Sequence, residues 1–353
     1  MGREHIECLK VIPNAKVVAL ADSSKESLRN AAGLLDYPVQ TFENYQDLLA
    51  AGGFDVLVIA TPNHTHQAVL ADALKTDAHV LVEKPLCISD DECQAVVSAA
   101  KGRKGIVWVG QEYRYMPPVA ELIRLVKAGE VGNVQQVSIK EHREPFYPKV
   151  DDWNRFSANT GGTLVEKCCH YFDLMNLLVG ELPMRVFASG GQRVNHLDES
   201  YQGKRADILD SAYVIVEYPS GVRAMLDLCM FAEASKDREV ITVIGDEGKV
   251  ESFLPSMELR LGKRAEWGTK LTWDDELPTN RGVGVRHVYD PSVRYVGHHH
   301  GATYIEHLRL IDAIENQSAP EVSVSDGALA VAMGRAAHRS IETGKPEEVL
   351  LPA

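Results

Sequence analysis

Phe54-Asp55-Val56-Leu57-Val58-Ile59-Ala60-Thr61-Pro62-Asn63-His64-Thr65-His66 is the stretch on which the fold is read. A short, almost unbroken apolar run rich in Val and Ile stops at a Thr-Pro-Asn turn, and a helical pattern over 66–75 follows. A strand that is apolar on both sides needs cover on both faces, which a parallel sheet between two layers of helices supplies. The same grammar recurs on either side. Val17-Val18-Ala19-Leu20-Ala21 precedes Asp22 and a helical stretch over 24–35; His79-Val80-Leu81-Val82 precedes Glu83-Lys84-Pro85 and another over 89–101; Ile106-Val107-Trp108-Val109 precedes Gly110. Ser89 before Asp90, Asp91 and Glu92 marks a helix start, with acids at the positive end of the helix dipole. Repeated strand–helix–strand units with right-handed crossovers predict a doubly wound parallel α/β sheet.

From about Pro117 the pattern changes. Val119, Leu122, Ile123 and Val126 recur at helical spacing until Gly129 and Gly132. Strands are then expected over 134–142, 211–217, 222–231, 239–244 and 249–254, with Tyr218-Pro219-Ser220-Gly221 as a hairpin turn. Two late helices are expected, one carrying Ile305, Leu308, Ile311 and Ile314, the other over 326–343 and stopped by Gly344 and Pro346. The reading is a Rossmann-type domain over 1–118 and an α+β domain over 119–353 with an open, mostly antiparallel sheet.

Bulk chemistry narrows the function. The 353 residues carry 37 basic and 50 acidic side chains, a formal charge of −13 that repels nucleic-acid phosphates and anionic lipid surfaces. No apolar run reaches the ~18 residues of a membrane span, and the first residues lack a signal-peptide profile. Six cysteines with no C-x-x-C pair read as reduced thiols of a cytoplasmic protein. A small-molecule partner is expected, without nucleic acid or membrane.

Gly2 and Asp22 have the spacing of the last glycine of a G-x-G-x-x-G turn and the acid that holds the ribose hydroxyls of a dinucleotide. Asp22 also suits a helix cap. Its carboxylate repels a 2′-phosphate, and Ser23-Ser24-Lys25 brings no arginine, so NAD is expected before NADP. The first strand and first two glycines of such a turn do not occur in the chain. The sheet is therefore expected to lack a central strand, leaving unpaired backbone edges and weak cofactor binding. Thr61, Pro62, Asn63 and His66 fall at the carboxyl end of a parallel strand, where ligands bind in this architecture.

Glu83-Lys84-Pro85 sets a lysine at the end of the next strand, restricted by the following proline. Such an ammonium forms a surface ion pair or stabilises negative charge on a substrate oxygen. Glu166, His170 and Asp173 are spaced to share one helical face, which either places a general base beside an orienting carboxylate or forms a satisfied polar network. Glu166 and His170 also have the spacing of two metal ligands, but no third ligand stands out, and no metal is assigned. Cys168-Cys169 reads as a pair of small buried side chains, and His298-His299-His300 puts at most one ring toward a cleft.

Together, Ala21-Asp22, Ala60-Thr61-Pro62-Asn63-His64-Thr65-His66, Glu83-Lys84-Pro85, Gly161-Gly162 leading into Glu166-x-x-x-His170, and the ending from His300-Gly301 through Asp326-Gly327 resemble the Gfo/Idh/MocA family of NAD(P)-dependent oxidoreductases. That group includes inositol 2-dehydrogenase and glucose–fructose oxidoreductase, and the resemblance spans essentially the whole chain. It implies a nicotinamide fold, sugar or cyclitol chemistry, and Lys84 and His170 at the catalytic positions. It also implies an open sheet that assembles dimers or tetramers. Glu166 stands where the family has aspartate. Asn154, Arg155 and Tyr171 are candidates to bind further substrate hydroxyls. In the mechanism this supports, a carbinol carbon gives hydride to NAD, His170 takes the hydroxyl proton with Glu166 or Asp173 orienting it, and Lys84 donates to the same oxygen. Three alternatives are a non-catalytic nucleotide- or sugar-binding regulator or inactive fragment, an NAD-dependent redox-neutral glycosidase, and last a metal-dependent hydrolase.

Overall fold

The computed structural model describes residues 1–264 and 282–351. The first part alternates helix and strand: α1 (Gly2–Lys10), β1 (Ala19–Ala21), α2 (Lys25–Ala32), β2 (Gln40–Phe42), α3 (Tyr45–Ala51), β3 (Val56–Ile59), α4 (His66–Ala73), β4 (His79–Glu83), α5 (Asp90–Ala100), β5 (Val107–Gly110) and α6 (Pro117–Lys127). Every pairing among these strands is parallel, and Ser24 and Ser89 cap α2 and α5 through bonds to Ser27 N and Glu92 N. The strands form two separate sheets, β1–β2 and β3–β4–β5. The division between β1 and β3 is where the doubly wound order places its first strand. Burial follows it: β4 and β5 are almost wholly buried, whereas β1 and most of β3, which the apolar runs marked as covered on both faces, are half-buried.

The second part begins with β6 (Val134–His142), then α7 (Ser157–Thr160), α8 (Thr163–Glu166), α9 (Cys169–Val179), β7 (Arg185–Gly191), β8 (Ser200–Tyr201) and β9 (Lys204–Arg205). It continues through β10 (Ser211–Glu217), β11 (Arg223–Cys229), β12 (Glu239–Gly245), β13 (Gly248–Leu254), β14 (Glu258–Lys263) and β15 (Val283–His287), and closes with α10 (Ala302–Glu315), α11 (Val324–Thr343) and β16 (Glu347–Glu348). β8 and β9 form a small hairpin, and the other strands form one nine-stranded sheet in the order β15-β14-β13-β12-β6-β11-β10-β7-β16. All its pairings are antiparallel except β6–β11. The turn at Tyr218–Gly221 joins β10 to β11 through bonds from Gly221 N to Tyr218 O and from Tyr218 N to Val222 O.

Strand alternation sets the two faces of this sheet. Val186, Ala188, Ala212, Val214, Val216, Ala224, Leu226 and Leu228 are buried, while Phe187, Tyr213, Ile215 and Met225 between them are exposed. α9 and α11 cover the buried face. α11 is held at its start by a reciprocal Ser323–Asp326 capping box, and it packs on α5 and β5 of the first part and on α8, α9 and β7 of the second. Gly327 permits this, since a Cβ there would meet Val109 at 2.9 Å and Leu86 at 3.2 Å. The helix thus fixes the ends of the parallel strands relative to α8 and α9.

Candidate active site

The strand ends and the second part enclose a cleft of about 1260 Å³. One wall comes from the parallel strands: Asp22 and Ser24 after β1, Thr61, Pro62, Asn63 and His64 after β3, and Glu83 and Lys84 at the end of β4. The facing wall has Lys149, Trp153, Phe156 and Glu166, with Tyr201, Lys204 and Arg205 from the β8–β9 hairpin. His64 and Trp153 meet edge-on at 6.1 Å between ring centres.

Lys84 lines this cleft. Its Nζ donates to Glu166 O at 3.1 Å, tying the end of β4 to the end of α8. The Lys84 N–H donates to Glu83 Oε2 at 3.3 Å, while Glu83 Oε1 lies 2.8 Å from His5 Nε2. Burial opposes ionisation of Glu83, but the His5 bond and charge and the Lys84 ammonium hold it well below the usual carboxylate range. Burial likewise opposes the Lys84 ammonium, and Cys169, Glu112 and Glu166 around it more than compensate, so its pKa is raised. Lys84 is a fixed cation.

Glu166 ends α8 on the cleft wall. Burial pushes its carboxyl up to about 7, against the pull of Lys84, Lys149, Arg155 and Lys167. Its Oε2 has no hydrogen-bond partner among the described residues. Gly161 and Gly162, at φ +79° and +89°, make the turn from α7 into α8 that a side chain at either position would strain.

His170 is 1% exposed and does not reach the cleft wall. Its ring stacks on Tyr113 with centres 4.0 Å apart and planes 5° apart, and Nε2 lies 3.6 Å from Glu112 Oε1. Burial, reinforced by Lys84, Lys167 and His299, pushes its pKa well below the ordinary value, so the imidazole is neutral at pH 7.

The single helical face expected for Glu166, His170 and Asp173 is not formed. Lys167 and Cys168 interrupt the helix, so Glu166 ends α8 while His170 belongs to α9. Lys167 is drawn aside to Tyr113 Oη at 2.5 Å and Glu141 Oε1 at 2.9 Å. Asp173 does not orient His170: Arg114 donates to both its oxygens, one at 2.6 Å. His66 is wholly buried, with its ring nitrogens 2.8 Å from Pro85 O and 3.0 Å from Thr61 O, and it braces the two cleft turns from behind.

Gly2 lies in the first turn of α1, and Met1 rather than Gly2 reaches the cleft. Arg155 is buried beside Tyr201 Oη at 3.3 Å and Glu199 Oε2 at 3.3 Å, so Tyr201 stands in the cleft wall in its place. Tyr171 is fully buried against Tyr113 and Lys167. Asn154 is buried and donates to Tyr147 O at 2.9 Å. Asp22 serves its turn as well as the cleft, accepting from Ser24 N at 2.8 Å. Of the three adjacent histidines, His299 turns inward, toward Glu4 and Glu112. Lys149, Trp153, Tyr201 and Arg205 carried no sequence signal: they sit in a loop, a 3₁₀ turn over Val150–Arg155 and a short hairpin whose path only the tertiary fold decides.

The wall at Asp22 and Asn63 carries polar groups that could hold a dinucleotide. Asn63 Nδ2 is buried there without a partner among the described residues, and the Asp22 carboxylate is exposed at the strand end. Residues 1–111 match the model of an oxidoreductase family with an NAD-binding Rossmann fold, and residues 123–349 match the C-terminal α/β domain of the same oxidoreductases. The chain belongs to the Gfo/Idh/MocA oxidoreductase family. This family member is an NAD-dependent dehydrogenase.

Among its relatives, the myo-inositol 2-dehydrogenase of Thermotoga maritima is 26% identical, with 99% of this chain and 97% of that protein aligned. The scyllo-inositol 2-dehydrogenase (NAD(+)) of Bacillus subtilis is 25% identical over 96% of this chain and 90% of its own length. The solved structure of levoglucosan dehydrogenase in complex with NADH and levoglucosan shares the fold at a TM-score of 0.85 and 18% identity, covering 99% of this chain and 96% of that one. Among the described residues, no helix is long and apolar enough to cross a membrane.

Proposed function

We propose that this dehydrogenase oxidises a secondary carbinol of a cyclitol or sugar, with Lys84, His170 and Glu166 as its working side chains. The reading rests on one observation: the Lys84 ammonium and the Glu166 carboxyl open into the same cleft as Asp22 and Asn63. Bound to that wall, NAD would supply the hydride acceptor. Asp22 holds the ribose hydroxyls and Asn63 supplies a donor. Lys84 donates to the reacting oxygen and stabilises the charge that grows on it as the C–H pair leaves. His170 lies behind the cleft wall, kept neutral by burial and with Nδ1 unpartnered among the described residues, and takes the hydroxyl proton once the bound polyol reaches through the wall to it. Glu166, once ionised, accepts from a neighbouring hydroxyl of the polyol, and Tyr201 and Lys149 face the rest of the substrate. The inositol and levoglucosan named for the relatives support polyhydroxylated rings as the first substrates to try.

The division of labour falls at 1–118 for cofactor and 119–353 for substrate and assembly. The exposed row of Phe187, Ile215 and Met225 across β7, β10 and β11, with Tyr213 beside it, is the surface on which copies of the chain join as dimer or tetramer. The six cysteines are free thiols, and we place the protein in the reducing cytoplasm. The test is a screen of cyclitols and aldoses with NAD and NADP, read by absorbance of the reduced nicotinamide. Reduction of NAD by a polyol supports the reading. Consumption of a glycoside with no net reduced cofactor would favour redox-neutral chemistry instead.

A further inference from the structure

Oxidation of a carbinol releases one proton per turnover, and His170 is sealed at 1% exposure. Among the described residues, the one carboxylate oxygen within 4 Å of its Nε2 belongs to Glu112, at 3.6 Å. Glu112 follows β5 and is itself 1% exposed, with neither oxygen hydrogen-bonded to a described residue. A buried carboxyl left in this state needs a reason. The same Oε1 lies 3.5 Å from His299 Nε2 on its other side. The other nitrogen of the His299 ring, Nδ1, lies 3.3 Å from Glu4 Oε1, and the side chain is 20% exposed. His298 N–H and Thr303 Oγ1, at 3.1 and 3.4 Å, also donate to Glu4 Oε1 and fix that carboxylate.

We propose that Glu112 and His299 form a proton exit that carries the proton from His170 to solvent. The inference rests on the dehydrogenase mechanism above. As the carbinol C–H pair leaves for NAD and the O–H bond breaks, the proton passes to His170. The Glu112 carboxyl then takes a proton on one side and gives one up on the other, and His299 discharges it to water beside Glu4. The net products are the ketone, reduced cofactor and one proton. The contacts are somewhat long for hydrogen bonds, as catalytic ones often are before substrate tightens them.

The titration properties of the two groups agree with that role. Burial raises the Glu112 carboxyl above its ordinary pKa, the Glu83 charge adding to this while His299 and Lys84 oppose it. Burial opposes charge on His299, yet Glu112, Glu4 and Glu83 outweigh it and raise its pKa. The other charged groups facing the path are Glu306, paired to Trp108 Nε1 at 3.2 Å, and Lys167.

The test uses the full chain in dilute non-transferring buffer. His299→Gln should lower kcat at least tenfold with KM little changed, and added imidazole should restore it in a saturable manner; the parent should not respond to imidazole. Glu112→Gln should fall similarly, with little rescue, because the gap is buried. Unchanged kcat in His299→Gln, or a loss that imidazole does not repair, would overturn the exit. A second readout needs neither NAD nor substrate. The imidazole NMR titration of His299 in labelled protein should move to lower pH by at least half a unit in Glu112→Gln, and an unmoved titration would also overturn the pairing. A parent that reduces no NAD with any polyol would strike at the proposed function, while the NMR titration would still judge the Glu112–His299 link.

Discussion

Lys84 is the residue on which most depends. Replacing its ammonium by an isosteric apolar chain, Lys84→Met, should cut kcat by roughly 10²–10³-fold, the scale of removing one charge-stabilising donor. NAD affinity by fluorescence titration should stay within about twofold, since the Asp22 and Asn63 wall is untouched. Glu166 sets the pH response. With its carboxyl near 7, kcat/KM should rise through pH 7 as it ionises, and Glu166→Gln should abolish that limb. Stability should move the opposite way. A carboxyl whose folded pKa exceeds its unfolded one binds more protons when folded, so stability falls as pH rises between about 4.5 and 7. Urea melts should show the parent losing on the order of 3 kcal/mol relative to Glu166→Gln across that window.

At the scale of elements, the joint between β5, α9 and α11 carries the site. Arg114, following β5, donates to Asp173 of α9 and to Glu321 O at 2.6 Å just before α11. Removing it leaves Asp173 buried without its cation, so Arg114→Leu should cost about 3–5 kcal/mol and show as a large drop in Tm. The parallel strands β1, β3, β4 and β5, the turn after β3 and Lys84 at the end of β4 were legible because apolar runs and proline act locally, whereas β2, Gln40-Thr41-Phe42, has no apolar run to mark it. The helix break at Lys167–Cys168 was not: Lys167 leaves the helix face for Tyr113 and Glu141, partners distant in sequence. His66 is likewise decided by Pro85 O, a contact no spacing announces. Strands β7, β14 and β15 escaped notice because their exposed faces dilute the apolar signal.

Across the whole molecule, the two parts meet at α11, and the charge of −13 leaves solution contacts to apolar surface rather than to polyanions. The exposed row on the large sheet predicts self-association. Ile215→Lys with Tyr213→Glu should convert the assembled species to monomer in sedimentation velocity, while the far-UV spectrum is kept. The split between the two parallel sheets leaves β1 and β3 half-buried, so hydrogen exchange should be faster there than in β4 and β5. The central claim is direct hydride transfer from a carbinol carbon to NAD in the cleft around Lys84. It is tested by incubating the protein with NAD and myo-inositol deuterated at every ring carbon, then weighing the reduced cofactor by mass spectrometry. Direct transfer predicts reduced nicotinamide one mass unit heavier, carrying a single deuterium. Reduced cofactor without deuterium, or deuterium lost to water while no cofactor is reduced, would contradict it.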